Sequence, residues 1–327
     1  MEENKKQWIA AFVMGALLPG LVFRIATSAL VYSQIDRHEV QKPAVQSTQP
    51  TERIEEVYEI PVLHGQVVQM MDMDAYLTGV LLAEMPADFH EQALMAQAVA
   101  ARTCTLQCVQ GRQKHEGNAI CTDPGCCQAY MSPEDYRLAG GEEEKILKVT
   151  KAVEETAGEY LSYEGKLIEA TYFSCSGGKT EDAVAVWGAD VPYLQSVESP
   201  GEEQAEAYTN TVTFTAEQLE RCLGRTLTGD PSVWLGQVQR TRGGGVATMV
   251  LAGKTYTGTE IRSLLGLYST AFTMQVKNGL VEVTTSGRGH RVGMSQYGAQ
   301  AMAEAGNDYT QILAHYYPGT ELTNMAQ

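Results

Sequence analysis

Residues 72–112, DMDAYLTGVLLAEMPADFHEQALMAQAVAARTCTLQCVQGR, decide the fold because they predict two helices joined at a proline. Asp74 is expected to cap the first helix, since its side chain can accept a free backbone N–H. Pro86 forbids helical continuation and ends that helix. Asp88, with Glu91 three residues on, matches a capping box and starts the second helix. One side of the second helix is expected to be buried, and it carries Leu94, Ala98, Ala101 and Thr105.

Two charged residues in this stretch fit neither capping nor packing. Glu84 stands at the predicted C-terminus of the first helix, where a negative charge opposes the helix macrodipole. Arg102 interrupts a run of small apolar residues. Surface charges are common, so composition alone favours a solvated acid with Arg102 as its ion-pair partner. The alternative is that both residues belong to a functional site.

Four linked motifs decide between these interpretations. They are AEMP followed by FHEQALMAQAVAARTCTL, then TYFSCSGGKTED, WGADVPYLQSVESP and GRGHRVGMSQYGAQAMA, and they run from residue 83 to residue 303. Together they resemble the stage II sporulation protein D (SpoIID) family of lytic transglycosylases, and the resemblance covers most of the chain from about residue 59 onwards. It implies that Glu84 is the catalytic acid and that Arg102 has a role in the substrate site.

The later motifs supply the rest of the predicted site. The glycines of SCSGGKT permit close backbone approach to a ligand, although an ordinary turn is the alternative. The closing motif reads G-x-G-x3-G, which misses the dinucleotide fingerprint by one residue, so we exclude nucleotide binding. Trp187 and Tyr193 offer aromatic faces suited to carbohydrate stacking, although such residues more often pack in a core or rim. The resemblance implies these substrate-site residues: Tyr172, Ser174, Ser176, Lys179, His290, Ser295, Gln296 and Tyr297.

Residues 115–130, HEGNAICTDPGCCQAY, predict a turn-rich loop with the four nitrogen and sulfur ligands of a closed zinc site: His115, Cys121, Cys126 and Cys127. The spacing H-x5-C-x4-C-C is not a common zinc-finger pattern, and a disulfide or reduced buried thiols are the alternative. The resemblance favours a structural zinc ion, because many relatives carry C-x4-H-C-Q here. Cys126 replaces the usual His, and the adjacent Cys126 and Cys127 leave the fourth ligand open.

The N-terminal region predicts a membrane anchor. Residues 8–23 are apolar apart from glycine and proline, and the segment 1–32 supplies the roughly 20 apolar residues that a bilayer span needs. Lys5 and Lys6 predict a cytoplasmic N-terminus, and therefore a single-pass protein with an extracytoplasmic domain. A cleaved signal peptide, with a site near Ala29, is the alternative.

The remaining pattern predicts an α+β fold. Helices mix with antiparallel strands in a catalytic core over residues 57–325, with a smaller inserted α+β subdomain over residues 196–272. Residues 33–56 predict a flexible linker, since they are rich in Gln, Pro, Thr and Glu without periodicity. The 327 residues carry a formal net charge of −16, which argues against a nucleic-acid partner.

We therefore expect a membrane-anchored lytic transglycosylase that cleaves the β-1,4 bond from N-acetylmuramic acid to N-acetylglucosamine. The resemblance implies glycan strands already stripped of stem peptides, an amidase or endopeptidase partner, and a further membrane protein in a sporulation engulfment complex. The rival hypothesis is a non-catalytic, wall-binding enhancer of an N-acetylmuramoyl-L-alanine amidase. A zinc peptidase is weaker, because the chain has no HExxH and a closed site leaves no open coordination position.

Overall fold

The computed structural model describes residues 59–112 and 114–325. The predicted anchor, residues 1–32, and the predicted linker, residues 33–56, lie outside these ranges. Within them, no helix is both long enough and apolar enough to cross a bilayer.

The two predicted helices are present, but their caps differ from the prediction. The first, α1, spans Met73–Glu84, and its cap is Asp72, whose Oδ1 accepts the Ala75 N–H at 2.8 Å. The second, α2, spans Glu91–Gln107 and is capped by His90 rather than by Asp88. Each helix has two candidate capping side chains within two residues, and spacing alone does not choose between them.

Helix α2 is the centre of the larger hydrophobic core. It is buried nearly all round, not on one side as predicted, because its many alanines let several elements approach closely. The elements that pack against α2 are α1, α4 (Glu143–Glu155), β4 (Glu159–Tyr163), β5 (Lys166–Leu167), α8 (Gln296–Glu304) and α9 (Tyr309–Tyr316). The other elements of this part of the molecule are α3 (Pro133–Leu138), β6 (Tyr172–Phe173), α5 (Ala183–Trp187), β13 (Met294–Ser295) and β14 (Glu321–Asn324).

Short sheets join distant parts of this core. The hairpin of β1 (Glu59–His64) and β2 (Val67–Asp72) is antiparallel, and β1 also pairs in parallel with β3 (Ile120–Cys121). Strands β14, β4 and β5 form an antiparallel sheet in that order. Strand β6 pairs in parallel with β13, with Tyr172 opposite Met294, which brings the second and fourth sequence motifs together.

A second hydrophobic cluster lies in the later half of the chain, around buried residues such as Leu219, Trp234 and Phe272. A short turn joins β8, which ends at Arg240, to β9, which starts at Val246. The boundaries 196–272 stay a prediction. The elements of this region are β7 (Thr209–Phe214), α6 (Ala216–Leu223), β8 (Leu235–Arg240), β9 (Val246–Leu251), β10 (Lys254–Thr257), α7 (Gly258–Leu265), β11 (Phe272–Lys277) and β12 (Leu280–Ser286).

The fold is therefore a mixture of helices and small, mostly antiparallel sheets, as the pattern predicts. The parallel pairs β1–β3 and β6–β13 are additions that the prediction did not contain.

Candidate functional site

A cleft with a volume of about 560 Å³ lies where the motifs converge. Its walls come from the end of α1, the last turns of α2, the loop after residue 113, strand β6 and residues 288–290. Three of the predicted substrate-site residues, Tyr172, Ser174 and His290, line it together with Glu84, and so do the predicted metal ligands Cys126 and Cys127. A depression of about 640 Å³ beside α6 contains none of the motif residues, so the cleft is the stronger candidate.

Glu84 is the acid of this cleft. It is the last residue of α1, it is partly buried, and its Oε1 accepts the Ala129 N–H at 2.7 Å. Burial raises the pKa of the Glu84 carboxyl above its usual value, and the bond from Ala129 offsets part of that rise. Among the lining residues that the structure describes, Glu84 is the one carboxylate.

Tyr172 and Gln128 form a hydrogen-bonded support beside this acid. The Tyr172 hydroxyl donates to Gln128 Oε1 at 2.8 Å, and Gln128 Nε2 donates to Thr105 Oγ1 at 2.9 Å. Burial, followed by the nearby charge of Glu84, raises the pKa of Tyr172 well above its usual value, so the phenol stays protonated. Gln128 and Ala129 are functional residues that the motifs did not predict. Their position directly after Cys126 and Cys127 is the signal that would have found them.

His290 contributes to the wall of the cleft. Its Nδ1 accepts the Val292 N–H at 3.2 Å, and a second hydrogen bond joins its ring to the Tyr172 backbone. Burial, assisted by the positive charge of Arg262, lowers the pKa of His290 to about 4. A neutral ring with both nitrogens engaged is suited to holding Val292 beside β6, and is a poor candidate for a general base.

Arg102 is not in the cleft, contrary to its predicted role in the substrate site. Its side chain is fully buried, because the guanidinium donates to the carbonyls of Thr156, Val153 and Glu159 at 2.7, 3.1 and 3.2 Å. It also pairs with Asp74 at 3.2 Å. Arg102 therefore ties α1 and α2 to the end of α4.

Five other predicted residues lie outside the described lining of the cleft. The Ser176 hydroxyl donates to buried Glu202 at 2.9 Å, and Lys179 pairs with Glu198 at 2.8 Å. The Ser295 hydroxyl caps α8 by accepting the Gly298 N–H. Gln296 is buried with no hydrogen-bond partner for its Nε2, and the ring of Tyr297 packs edge-on against Phe89 at 5.0 Å.

The four predicted ligand residues converge on one point. His115 Nε2 lies 3.4 Å from Cys126 Sγ and 3.7 Å from Cys127 Sγ, and the two sulfurs are 3.9 Å apart. Together with Cys121, all four ligand atoms lie within 4.8 Å of one another. Zinc–sulfur bonds of about 2.3 Å in a tetrahedron place two sulfurs about 3.8 Å apart. The residues therefore fit a tetrahedral metal ion.

Adjacent cysteines do not prevent this convergence. The Cys126 and Cys127 N–H groups both donate to the Asp123 carbonyl, at 3.0 and 2.9 Å, in a tight turn that directs both sulfurs to the same side. Burial and the neighbouring Cys121 thiol raise the pKa of Cys126 to about 12. Such crowded thiols resist ionisation on their own, and a divalent cation would favour their thiolates. The cluster could therefore hold a metal ion.

Comparisons with known proteins place these residues in a family context. The SpoIID family, described as "Stage II sporulation protein", matches residues 64–163. The chain is 40% identical over 261 residues to stage II sporulation protein D of Bacillus amyloliquefaciens, covering 78% of this chain and 75% of that protein. It is 39% identical over 297 residues to stage II sporulation protein D of Bacillus subtilis strain 168, covering 87% and 86%. It is also 31% identical over 307 residues to an amidase enhancer of Bacillus subtilis strain 168, covering 76% of this chain and 40% of that protein.

Proposed function

The chain belongs to the SpoIID family of sporulation proteins, and from this we propose that it is a lytic transglycosylase of peptidoglycan. Its substrate is the β-1,4 bond from N-acetylmuramic acid to N-acetylglucosamine in strands without stem peptides. The product carries a 1,6-anhydromuramic end, and the cleavage serves engulfment during endospore formation.

One observation carries the proposal: the described lining of the cleft contains a single carboxylate, Glu84. Glycoside hydrolases ordinarily need two carboxylates, one as acid and one as base or nucleophile. A lytic transglycosylase can work with one, because the sugar supplies its own nucleophile. The arrangement therefore favours transglycosylation over hydrolysis.

Glu84 would serve both steps of this reaction. Its proton goes to the leaving O4 as the C1–O4 bond breaks. The carboxylate then accepts the proton of the muramic 6-hydroxyl as O6 attacks C1 and the C1–O6 bond forms. No water is consumed, and Glu84 ends in its starting state. A raised pKa keeps the acid form available for the first step.

The residues around Glu84 would fix its geometry. The Ala129 N–H holds one carboxyl oxygen, which leaves the other oxygen for the substrate. Tyr172, held by Gln128, places a phenol near the same acid. Neutral His290 lines the same cleft without competing for the proton.

The metal centre would have a structural role. Zinc is the ion that the resemblance implies, and it would supply ordering energy to a loop with few apolar residues of its own. His115, Cys121, Cys126 and Cys127 would hold it, and four protein ligands leave no position for substrate.

We propose that residues 1–32 anchor the protein in the cell membrane with its catalytic domain outside the cytoplasm. The length and the flanking lysines of the apolar segment support this topology. The partners would be a cell-wall amidase or endopeptidase that removes stem peptides, and a further membrane protein of the engulfment complex.

The direct test is mass spectrometry of purified, peptide-free glycan strands after incubation with the full-length protein. We expect anhydromuramic ends from the wild type and none from Glu84→Gln. Ordinary reducing ends would identify a hydrolase, and intact strands would refute cleavage.

The likeness to an amidase enhancer supports a second candidate, a non-catalytic stimulator of an amidase. Stimulation of an N-acetylmuramoyl-L-alanine amidase that persists fully in Glu84→Gln, without anhydromuramic products from the wild type, would favour this second function.

A further inference from the structure

Trp187 is a large apolar side chain that remains exposed beside the cleft. Its side chain is 48% exposed at the end of α5, and Val184, one turn earlier, is 49% exposed. A scattered apolar residue on a surface needs no explanation. Two further observations distinguish Trp187 from such a residue.

The first observation is that its backbone is firmly held. Gly188 caps α5 in a left-handed conformation, with φ of 76°, and its N–H donates to the Val184 carbonyl at 3.0 Å. At the other end of α5, the Asp182 carboxylate accepts the Ser196 N–H at 2.7 Å. An exposed ring on a fixed backbone can bind a ligand at a low entropic cost.

The second observation is that the ring continues the wall of the cleft. Trp187 packs against His290 with ring centroids 5.3 Å apart, and His290 packs in turn against Phe173 at 5.6 Å. His290 and Phe173 both line the cleft. The three rings therefore form a continuous aromatic row from the interior of the cleft to its rim.

The cleft is too small to hold a whole glycan strand, so sugars must also be bound at its rim. A volume of about 560 Å³ is that of a site for an ordinary small ligand. A glycan strand is a polymer, so its sugars must continue past the rim. The apolar C–H face of a pyranose ring is flat and matches an exposed indole, and aromatic side chains dominate binding energies at such contacts.

We propose that Trp187 is the stacking platform of a further sugar subsite, at the rim of the cleft, for a glycan unit remote from the bond that is cut. The inference rests on the proposed glycan substrate, but it requires binding and not cleavage. Trp187 would therefore determine affinity for long strands without taking part in the chemistry.

The test measures binding of peptide-free glycan strands to the full-length Glu84→Gln protein, by calorimetry and by tryptophan fluorescence. Trp187→Ala in this background should raise Kd about 10-fold, or about 1.4 kcal/mol. Trp187→Phe should restore most of the affinity because it keeps a flat ring. Val233→Ala, which alters an exposed apolar residue of the second hydrophobic region, should leave Kd unchanged.

Fluorescence locates the contact. The chain has 3 tryptophans, and Trp234 is only 3% exposed. Glycan should change the emission of the Glu84→Gln protein and of its Trp234→Phe variant, but not that of Trp187→Phe. In the catalytically active background, Trp187→Ala should raise KM on long strands and leave kcat unchanged.

The outcomes separate this inference from the proposed function. An unchanged Kd for a Trp187→Ala protein with an unaltered melting temperature overturns the subsite, even if the wild type forms anhydromuramic ends. Weakened binding supports the subsite, even if the wild type cleaves nothing and the amidase-enhancer function is correct. If Trp187→Ala unfolds, Trp187→Leu takes its place, and wild-type affinity in that variant overturns the inference.

Discussion

Three features act on the proton affinity of Glu84. Partial burial favours the neutral acid, and so does its position at the C-terminus of α1, where the helix macrodipole is negative. The Ala129 N–H favours the charged form. Burial dominates, so the folded protein holds this proton more tightly than an ordinary glutamate does.

Replacement of this acid should therefore have opposite effects on activity and on stability. Glu84→Gln should reduce anhydromuramic product formation by about 10²–10⁴-fold, the usual contribution of a general acid. Product formation is measured by mass spectrometry over time. Turnover near the wild-type rate by a folded variant would contradict the assignment.

The stability change has a defined pH dependence. The pKa of Glu84 is raised above 4.5, so its stabilising contribution is complete below that pH and is lost as pH rises through the folded-state pKa. At neutral pH the buried carboxylate is a net cost. Glu84→Gln should then melt at a higher temperature than the wild type, and the difference should vanish in acid. A difference that grew on acidification would contradict this account.

Arg102 should matter for stability and not for substrate affinity. Arg102→Ala removes the guanidinium donor from three backbone carbonyls and the buried partner of Asp74, and should cost about 3 kcal/mol or more. Asp74→Asn, which alters its partly exposed partner, should cost about 1 kcal/mol or less. Denaturant unfolding measures both. A stable Arg102→Lys protein with a raised KM would instead restore the substrate role.

The position of Glu84 in the cleft could be anticipated from the sequence, and the burial of Arg102 could not, for a physical reason. Glu84 contradicts its local surroundings, because an acid at a helix C-terminus is unfavourable, and this is visible in the sequence. Apart from the side chains of Asp74 and Thr156, the partners of Arg102 are backbone carbonyls more than 50 positions away. Every residue has the same backbone carbonyl, so the sequence does not show which carbonyls will converge on Arg102.

At the scale of elements, the loop from His115 to Cys127 is the part that could hold a metal ion. The spacing predicted its four ligands but left the adjacent cysteines unresolved. The double hydrogen bond to the Asp123 carbonyl resolves them, and a shared backbone acceptor is not encoded in ligand spacing.

Removal of the metal should lower stability and activity together. A strong chelator should lower the melting temperature, and elemental analysis of protein purified without chelator should find one zinc ion per chain. Cys126→His should retain the metal, because imidazole also binds zinc, whereas Cys126→Ser should lose it. Less than about a tenth of an equivalent of metal, together with a disulfide at Cys121, would show that a disulfide and not a metal ion holds this loop.

Long helices could be predicted from the sequence, but very short strand pairs could not. The long, alanine-rich stretch on either side of Pro86 predicted α1 and α2. The β6–β13 pair consists of two residues from each strand, 122 positions apart, from Tyr172 to Met294. A ladder this short has no periodicity to detect, although it brings Tyr172 and the closing motif to one place.

At the scale of the whole molecule, the topology is open to a simple test. Removal of residues 1–32 should give a soluble domain with the activity of the full chain, because the described core is built without them. Sedimentation and product analysis measure the two properties. Aggregation of the truncated chain, when the full chain is stable in detergent, would contradict a separate anchor.

One short segment, residues 126–129, connects the candidate metal site to Glu84. Cys126 and Cys127 line the candidate metal site, Gln128 holds Tyr172, and Ala129 donates to Glu84, all within four consecutive positions. The candidate metal site and Glu84 are therefore coupled through the backbone. Disorder of residues 126–129 would break the hydrogen bond from the Ala129 N–H to the Glu84 carboxylate. A single glycine inserted between Gln128 and Ala129 should uncouple the metal site from Glu84. The resulting protein should retain its metal and its melting temperature but cleave glycan strands slowly.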